Sequence, residues 1–66
     1  MKLDITKLDN FRLKAVLNQQ ELADKANISR ATVSTIMSRG TCSKPTLFKL
    51  AKALDVEPVE LLLVEG

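Results

Sequence analysis

The sequence predicts an all-α domain built from five short helices. Apolar residues recur at three- and four-residue steps along nearly the whole chain, no stretch alternates apolar and polar residues as a strand does, and cap-forming residues stand at the segment starts. At 66 residues the chain is near the lower size limit for unaided folding. Its hydrophobic content of 45% supplies a core, and with one cysteine no internal disulfide can form, so packing alone must hold the fold.

In the first segment Ile5, Leu8, Phe11 and Ala15 share a face, and Asp4 or Thr6 can cap its start, which predicts a helix from Asp4 to Ala15. In the next, Asn18 can accept from the free amides of the following turn while Glu21 reaches back to the Asn18 amide, a capping box; Leu17 and Leu22 stand at the staple positions. Leu22, Ala23 and Ala26 give the inner face of a helix from Gln19 to Ala26, and Asn27 suits a left-handed helix end. The pattern then repeats: Ser29 caps, Ile28 and Val33 staple, and Val33, Ile36 and Met37 form the apolar stripe of a helix from Arg30 to Ser38, closed at Arg39-Gly40. Residues 41–44 read as a loop before Pro45, which favours a first helical turn. Leu47, Leu50, Ala51 and Leu54 stripe the fourth helix; Pro58 opens a short fifth one with Val59, Leu62 and Leu63 apolar. Phe11, Phe48 and both methionines are expected in the core, and Cys42 with them if its loop folds inward; otherwise it is a free surface thiol.

Charge is unevenly placed within a net +2. Lys25, Arg30, Arg39, Lys44, Lys49 and Lys52 occur between residues 25 and 53 without an acid, and Asp55, Glu57, Glu60 and Glu65 follow without a base. A basic stretch beside an acidic remainder can aim one face at a polyanion, although solvated lysines on helix surfaces give the same pattern. No apolar run is long enough to span a membrane, the N-terminus lacks the apolar stretch of a signal peptide, and no linker or repeat divides the chain, so residues 1–66 are read as a single domain. Histidine is absent and Cys42 stands alone, so a metal site or a cysteine nucleophile is not expected; nor are catalytic residues, a cofactor or a small-molecule ligand. A lone cysteine fits a reducing, intracellular compartment.

Two short helices around the three-residue turn Asn27-Ile28-Ser29 make a helix-turn-helix over about residues 19–38. Ala23 is small where the helices approach, Asn27 tolerates the turn's backbone, and Val33 and Ile36 bury the second helix. The stretch LNQQELADKANISRATVSTIMSRG resembles the Cro/CI-type (xenobiotic-response-element) family of bacterial and phage regulators, in Gln19 after the cap, Leu22-Ala23, the turn, Val33 and Ile36. Downstream, LAKALDVEPVELL matches that family's fourth and fifth helices, and Arg12 stands where the family carries an arginine in its first; the resemblance runs from Ile5 to Leu63. Asn27 departs from the commoner glycine, and the loop TCSK before Pro45 departs from the commonest spacing.

The resemblance implies a compact lambda-repressor-like fold and a non-enzymatic, sequence-specific transcriptional regulator that binds double-stranded DNA: a repressor, or a phage or mobile-element switch protein. It implies a cytoplasmic, nucleoid-associated protein of bacterial or phage origin. The second helix of the pair would enter the major groove, with Ser29, Arg30, Ala31, Thr32 and Thr35 as base contacts and Ser34 as an outer candidate. Arg30 has the chemistry for a bidentate contact to guanine, worth about 1–3 kcal/mol of discrimination, or it is a solvated or phosphate-bound arginine. Gln19, with Asn18 and Gln20, suits a phosphate at a helix N-terminus. Arg39, Thr41, Ser43 and Lys44 are further phosphate candidates, and Arg12 either contacts phosphate or pairs with an acid such as Glu21. The apolar end of the chain, through Leu61 and Val64, is expected to join two copies, placing two such helices about 34 Å apart on a palindromic operator. A protein-interaction module that has lost DNA binding and an antitoxin-like protein that also binds a partner are the alternatives.

Overall fold

The structure, a computed structural model, describes residues 1–63. Four α-helices follow in order: α1 (Ile5–Lys14), α2 (Gln19–Ala26), α3 (Arg30–Arg39) and α4 (Lys44–Leu54). The expected fifth helix is instead a single 3-10 turn, Pro58–Leu61, so the architecture is four helices and a turn. Four residues starting at a proline are too few to nucleate an α-helix, and the tighter turn closes at once into extended backbone at Leu62.

Each helix begins where a side chain can take up a free amide. Asp4 accepts from Lys7 N–H, Asn18 from Glu21 N–H, Ser29 from Thr32 N–H and Ser43 from Thr46 N–H. Three helices also end alike. Val16, Asn27 and Asp55 take the left-handed conformation, at φ 58°, 58° and 57°. The amide of the next residue then reaches back five positions: Leu17 to Arg12 O, Ile28 to Ala23 O, and Val56 to Ala51 O. Leu17, Ile28 and Val56 each pack against the core, so every reversal is anchored by an apolar side chain. Gly40, at φ 73°, closes α3 and passes its carbonyl to Leu3 N–H at 2.8 Å.

α2 packs against α3 and α4, and the 3-10 turn against α4 and α1. The core between them joins Leu8, Leu22, Ala23, Val33, Ile36, Leu47, Leu50, Ala51, Leu54 and Leu61, together with Leu3. Ala23 is fully buried within this core.

Several expectations are corrected. Leu61 is fully buried, so it belongs to the core and is closed to a second copy; Leu62 is half-buried and packs against the core, as expected, while Leu63 is exposed. Val64 lies outside the described residues. Phe48 is 48% exposed and Met1 51%, against the expectation of a core place, whereas Phe11, Met37 and Cys42 are half-buried and pack against the core as expected. Phe48 falls on the outer side of α4, away from the Leu47–Leu50–Leu54 stripe, with Lys44 Nζ 5.9 Å from its ring. Ala15 ends α1 in an exposed position.

The first three residues were silent in the sequence. Leu3 donates to Gly40 O, Asp4 to Leu61 O and Leu63 to Lys2 O, while Cys42 donates to Met1 O. Residues 1–4 thus run between the loop after α3 and the segment after the 3-10 turn, through isolated antiparallel bridges Lys2–Thr41 and Leu3–Leu62. No strand forms among the described residues. These bridges tie the loop that follows α3 to the body of the molecule.

Candidate nucleic-acid interface

Capping and burial together present the leading turn of α3. Val33 and Ile36 are buried against α2, which leaves Arg30, Ala31, Ser34 and Thr35 exposed on the opposite side and Thr32 half-exposed. Ser29 caps the helix and its hydroxyl lies 2.7 Å from that of Thr32. The pair shares one hydrogen, so together they can offer one hydroxyl donor outward beyond the bond between them.

An open groove runs alongside. Ala31, Thr32, Thr35 and Ile36 of α3 form one wall; Thr41, Cys42 and Ser43 of the loop, with Thr46 of α4, form the other. Residues expected as base contacts (Ala31, Thr32, Thr35) and as phosphate contacts (Thr41, Ser43) therefore share one surface. Its lining holds no carboxylate, and small hydroxyl side chains dominate it. Arg30 and Arg39 stand exposed at the two ends of α3, and Lys44 is exposed at the first position of α4. Ser43 caps α4, its hydroxyl 3.0 Å from that of Thr46. The Lys2–Thr41 bridge and the Leu3–Gly40 and Cys42–Met1 hydrogen bonds tie this loop to residues 1–3.

At the start of α2 the capping box uses two amides: Glu21 N–H donates to Asn18 Oδ1 at 2.7 Å, and Asn18 N–H to Glu21 Oε1 at 3.0 Å. The amides of Gln19 and Gln20 lie ahead of the i−4 ladder and remain as donors at a positive helix end. Gln20 turns its side chain to Asp24, at 3.0 Å, so Gln19 is the side chain of this trio left free of such bonds.

Arg12 takes the acid-pairing alternative, with a different partner. Its Nη2 and Nε donate to Asp9 Oδ1 at 2.6 and 3.1 Å, and Nη1 to Leu17 O at 2.7 Å. Glu21 is occupied by the cap. Arg12 thus fastens the α1–α2 connection and sets the position of Leu17. Cys42 is a free thiol whose pKa burial pushes up, the nearby N-terminal ammonium offsetting part of the effect.

The basic stretch divides in three dimensions. Arg30, Arg39 and Lys44 border α3 and its groove, whereas Lys25, Lys49 and Lys52 line a separate depression at the other ends of α2 and α4. Nothing local in the sequence signalled that division. Among the described residues no group of three or more His, Cys, Asp or Glu could hold a metal ion, and no helix is long and apolar enough to cross a membrane.

In comparison with known proteins, a family model described as helix-turn-helix matches residues 8–61, most of the chain. No curated protein and no solved structure matches it.

Proposed function

Because the chain belongs to the Cro/CI-type helix-turn-helix family, whose members are DNA-binding transcription regulators, we propose that it reads a specific operator through α3 and acts as a repressor or as a phage or mobile-element switch protein. The observation that carries this reading is the carboxylate-free groove in which the leading residues of α3 and the loop before α4 form opposite walls. A duplex backbone passing that loop would bring base edges to Ala31, Thr32 and Thr35, with Arg30 at the leading end. Gln19 and the first amides of α2 would hold the phosphate on one flank, and Thr41, Ser43 and Lys44 on the other, with Arg39 beside them. Ser29 and Asn18 act first as caps, and Arg12 acts on DNA through the connection it fastens.

The proposed working form is a homodimer on a palindromic operator. With Leu61 in the core, its apolar contact moves to the exposed Met1 and Leu63, which border one surface with Leu62. A concentration-independent monomer mass in sedimentation, with and without duplex, would remove the dimer from the proposal.

Affinity for duplex against salt tests the function. Two clamping cations per protomer, Arg39 and Lys44, give a log–log slope of about −1.8 per protomer at −0.9 for each neutralised phosphate. A flat dependence, or no binding at low salt, would favour a protein-interaction module that keeps the fold without the activity.

A further inference from the structure

We propose that the depression between the C-terminal ends of α2 and α4 is a second recognition surface, one that docks an acidic peptide segment of a partner protein. The inference goes beyond DNA binding and uses none of the residues assigned to it. Lys25 of α2 and Lys49 and Lys52 of α4 line this depression, Ala26 and Ala53 form its floor, and Asn27 sits at its edge. All three lysines are exposed, and none makes an ion pair among the described residues. Asp24, the sequence neighbour of Lys25, is turned to Gln20. The Asn27 side-chain amide likewise has no partner among the described residues, although its backbone holds the turn. Three ammonium groups around a shallow floor, beside a free amide, repel one another, which the helix ends offset only for Lys25 and Lys52, in the last turns of α2 and α4. They become favourable once carboxylates enter between them.

Position separates this surface from the duplex. At 1.5 Å per residue, Lys25 lies about 9 Å along α2 from Gln19, and Lys49 and Lys52 lie about 7.5 and 12 Å along α4 from Lys44. Phosphates gripped at the leading ends of both helices leave their trailing ends unused. The chemistry also favours a peptide over a second nucleic acid. No aromatic ring lines the depression for a base to stack on. Spaced carboxylates on an extended chain suit separated lysines over alanines. Of a second copy's acids, Asp4, Asp9, Glu21, Asp24 and Glu60 are already hydrogen-bonded within their own molecule, which leaves Asp55 and Glu57 among the described residues, and sedimentation separates that occupant from a partner peptide.

The test is a titration of the isotope-labelled chain with an oligoglutamate peptide of about eight residues at low salt, where exposed charges are least screened. Backbone shifts should gather at Lys25, Ala26, Asn27, Lys49 and Lys52 and persist with duplex bound. The triple substitution Lys25→Gln, Lys49→Gln and Lys52→Gln should weaken the peptide about tenfold or more, and leave duplex affinity within about twofold, as expected for distant surface sites. Shifts at residues 29–35 that duplex abolishes, absence of shifts, or a tenfold loss of duplex affinity in the triple variant would each overturn the proposal. So would a mass in sedimentation that falls on making the triple variant, which would assign the surface to a second copy. No duplex binding by the unsubstituted chain, with its peptide binding intact, would instead refute the DNA-binding reading and leave this one standing.

Discussion

Truncating Leu61 separates the two roles its sequence allows. The side chain is completely enclosed, against α4 and α1, and its carbonyl accepts from Asp4 N–H. Leu61→Ala removes three buried carbons and leaves a cavity that a segment tied at both sides cannot collapse onto, a loss of about 2–5 kcal/mol. A domain of 66 residues has a total stability of only ~3–10 kcal/mol. At about 4–8 °C per kcal/mol for a domain of this size, the melting midpoint should fall by roughly 8–40 °C. Leu61→Val, which removes a single methylene, should cost about 1 kcal/mol and keep the chain folded for comparison. Leu63→Ala, at an exposed position, should change stability by less than about 0.5 kcal/mol. The assay is thermal unfolding by circular dichroism at two protein concentrations. A Leu61→Ala midpoint within about 3 °C of the parent chain, with Leu63→Ala the more damaging, would refute the placement of Leu61 in the core.

Val16 is a β-branched residue held at φ 58° and 84% exposed, so Val16→Gly relieves backbone strain without removing packing and should stabilise by about 0.5–1 kcal/mol; an unchanged or lower melting midpoint would show that the strain is absent. Arg30→Ala should cost about 1–3 kcal/mol on a duplex selected by the protein and much less on random duplex, whereas Gln19→Ala and Lys44→Ala should weaken both alike; equal losses for Arg30→Ala on the two duplexes would remove its base-reading role. Burial raises the Cys42 thiol, so less thiolate is present at a given pH than for a free cysteine, and alkylation by iodoacetamide near neutral pH should be slower than for a cysteine peptide and climb with pH. The adduct would stand in the groove beside α3 and abolish duplex binding; a peptide-like rate at neutral pH, or full binding after alkylation, would contradict this placement.

The parts legible in the sequence were those written in neighbouring residues. Asn18 with Glu21, Ser29 with Thr32, and Asn27 at the turn each act within one helical turn, so the bounds of α2 and the start of α3 follow from composition and spacing. Continued at the α-helical period, the run Leu61–Val64 points Leu61 away from the core. A 3-10 turn advances about 120° per residue, and it ends at Leu62, so the inward position moves to Leu61. Phe48 was assigned to the core on its chemistry, against a stripe of Leu47, Leu50 and Leu54 that already filled the inner face of α4. The pairing of residues 1–4 with residues 40–42 and 61–63 joins parts of the chain that share no local pattern. The same holds for the site. The individual contact candidates were readable along α3, but the groove that unites them with Thr41, Ser43 and Thr46 exists only because those distant bridges hold the loop in place. Arg12 could not be assigned between partners, since Asp9 and Glu21 both lie within its reach along the chain, and only the capping box removes Glu21.

The central claim is that one face, built from the leading ends of α2 and α3 and the loop before α4, carries the DNA. It is tested most directly by titrating the isotope-labelled chain with a duplex selected by the protein itself and mapping the backbone shifts. The expected result is a continuous footprint over residues 18–20, 29–35 and 41–46, with Lys25, Lys49 and Lys52 silent. A footprint centred on those three lysines or on Leu62 and Leu63, with residues 29–35 unmoved, would contradict it.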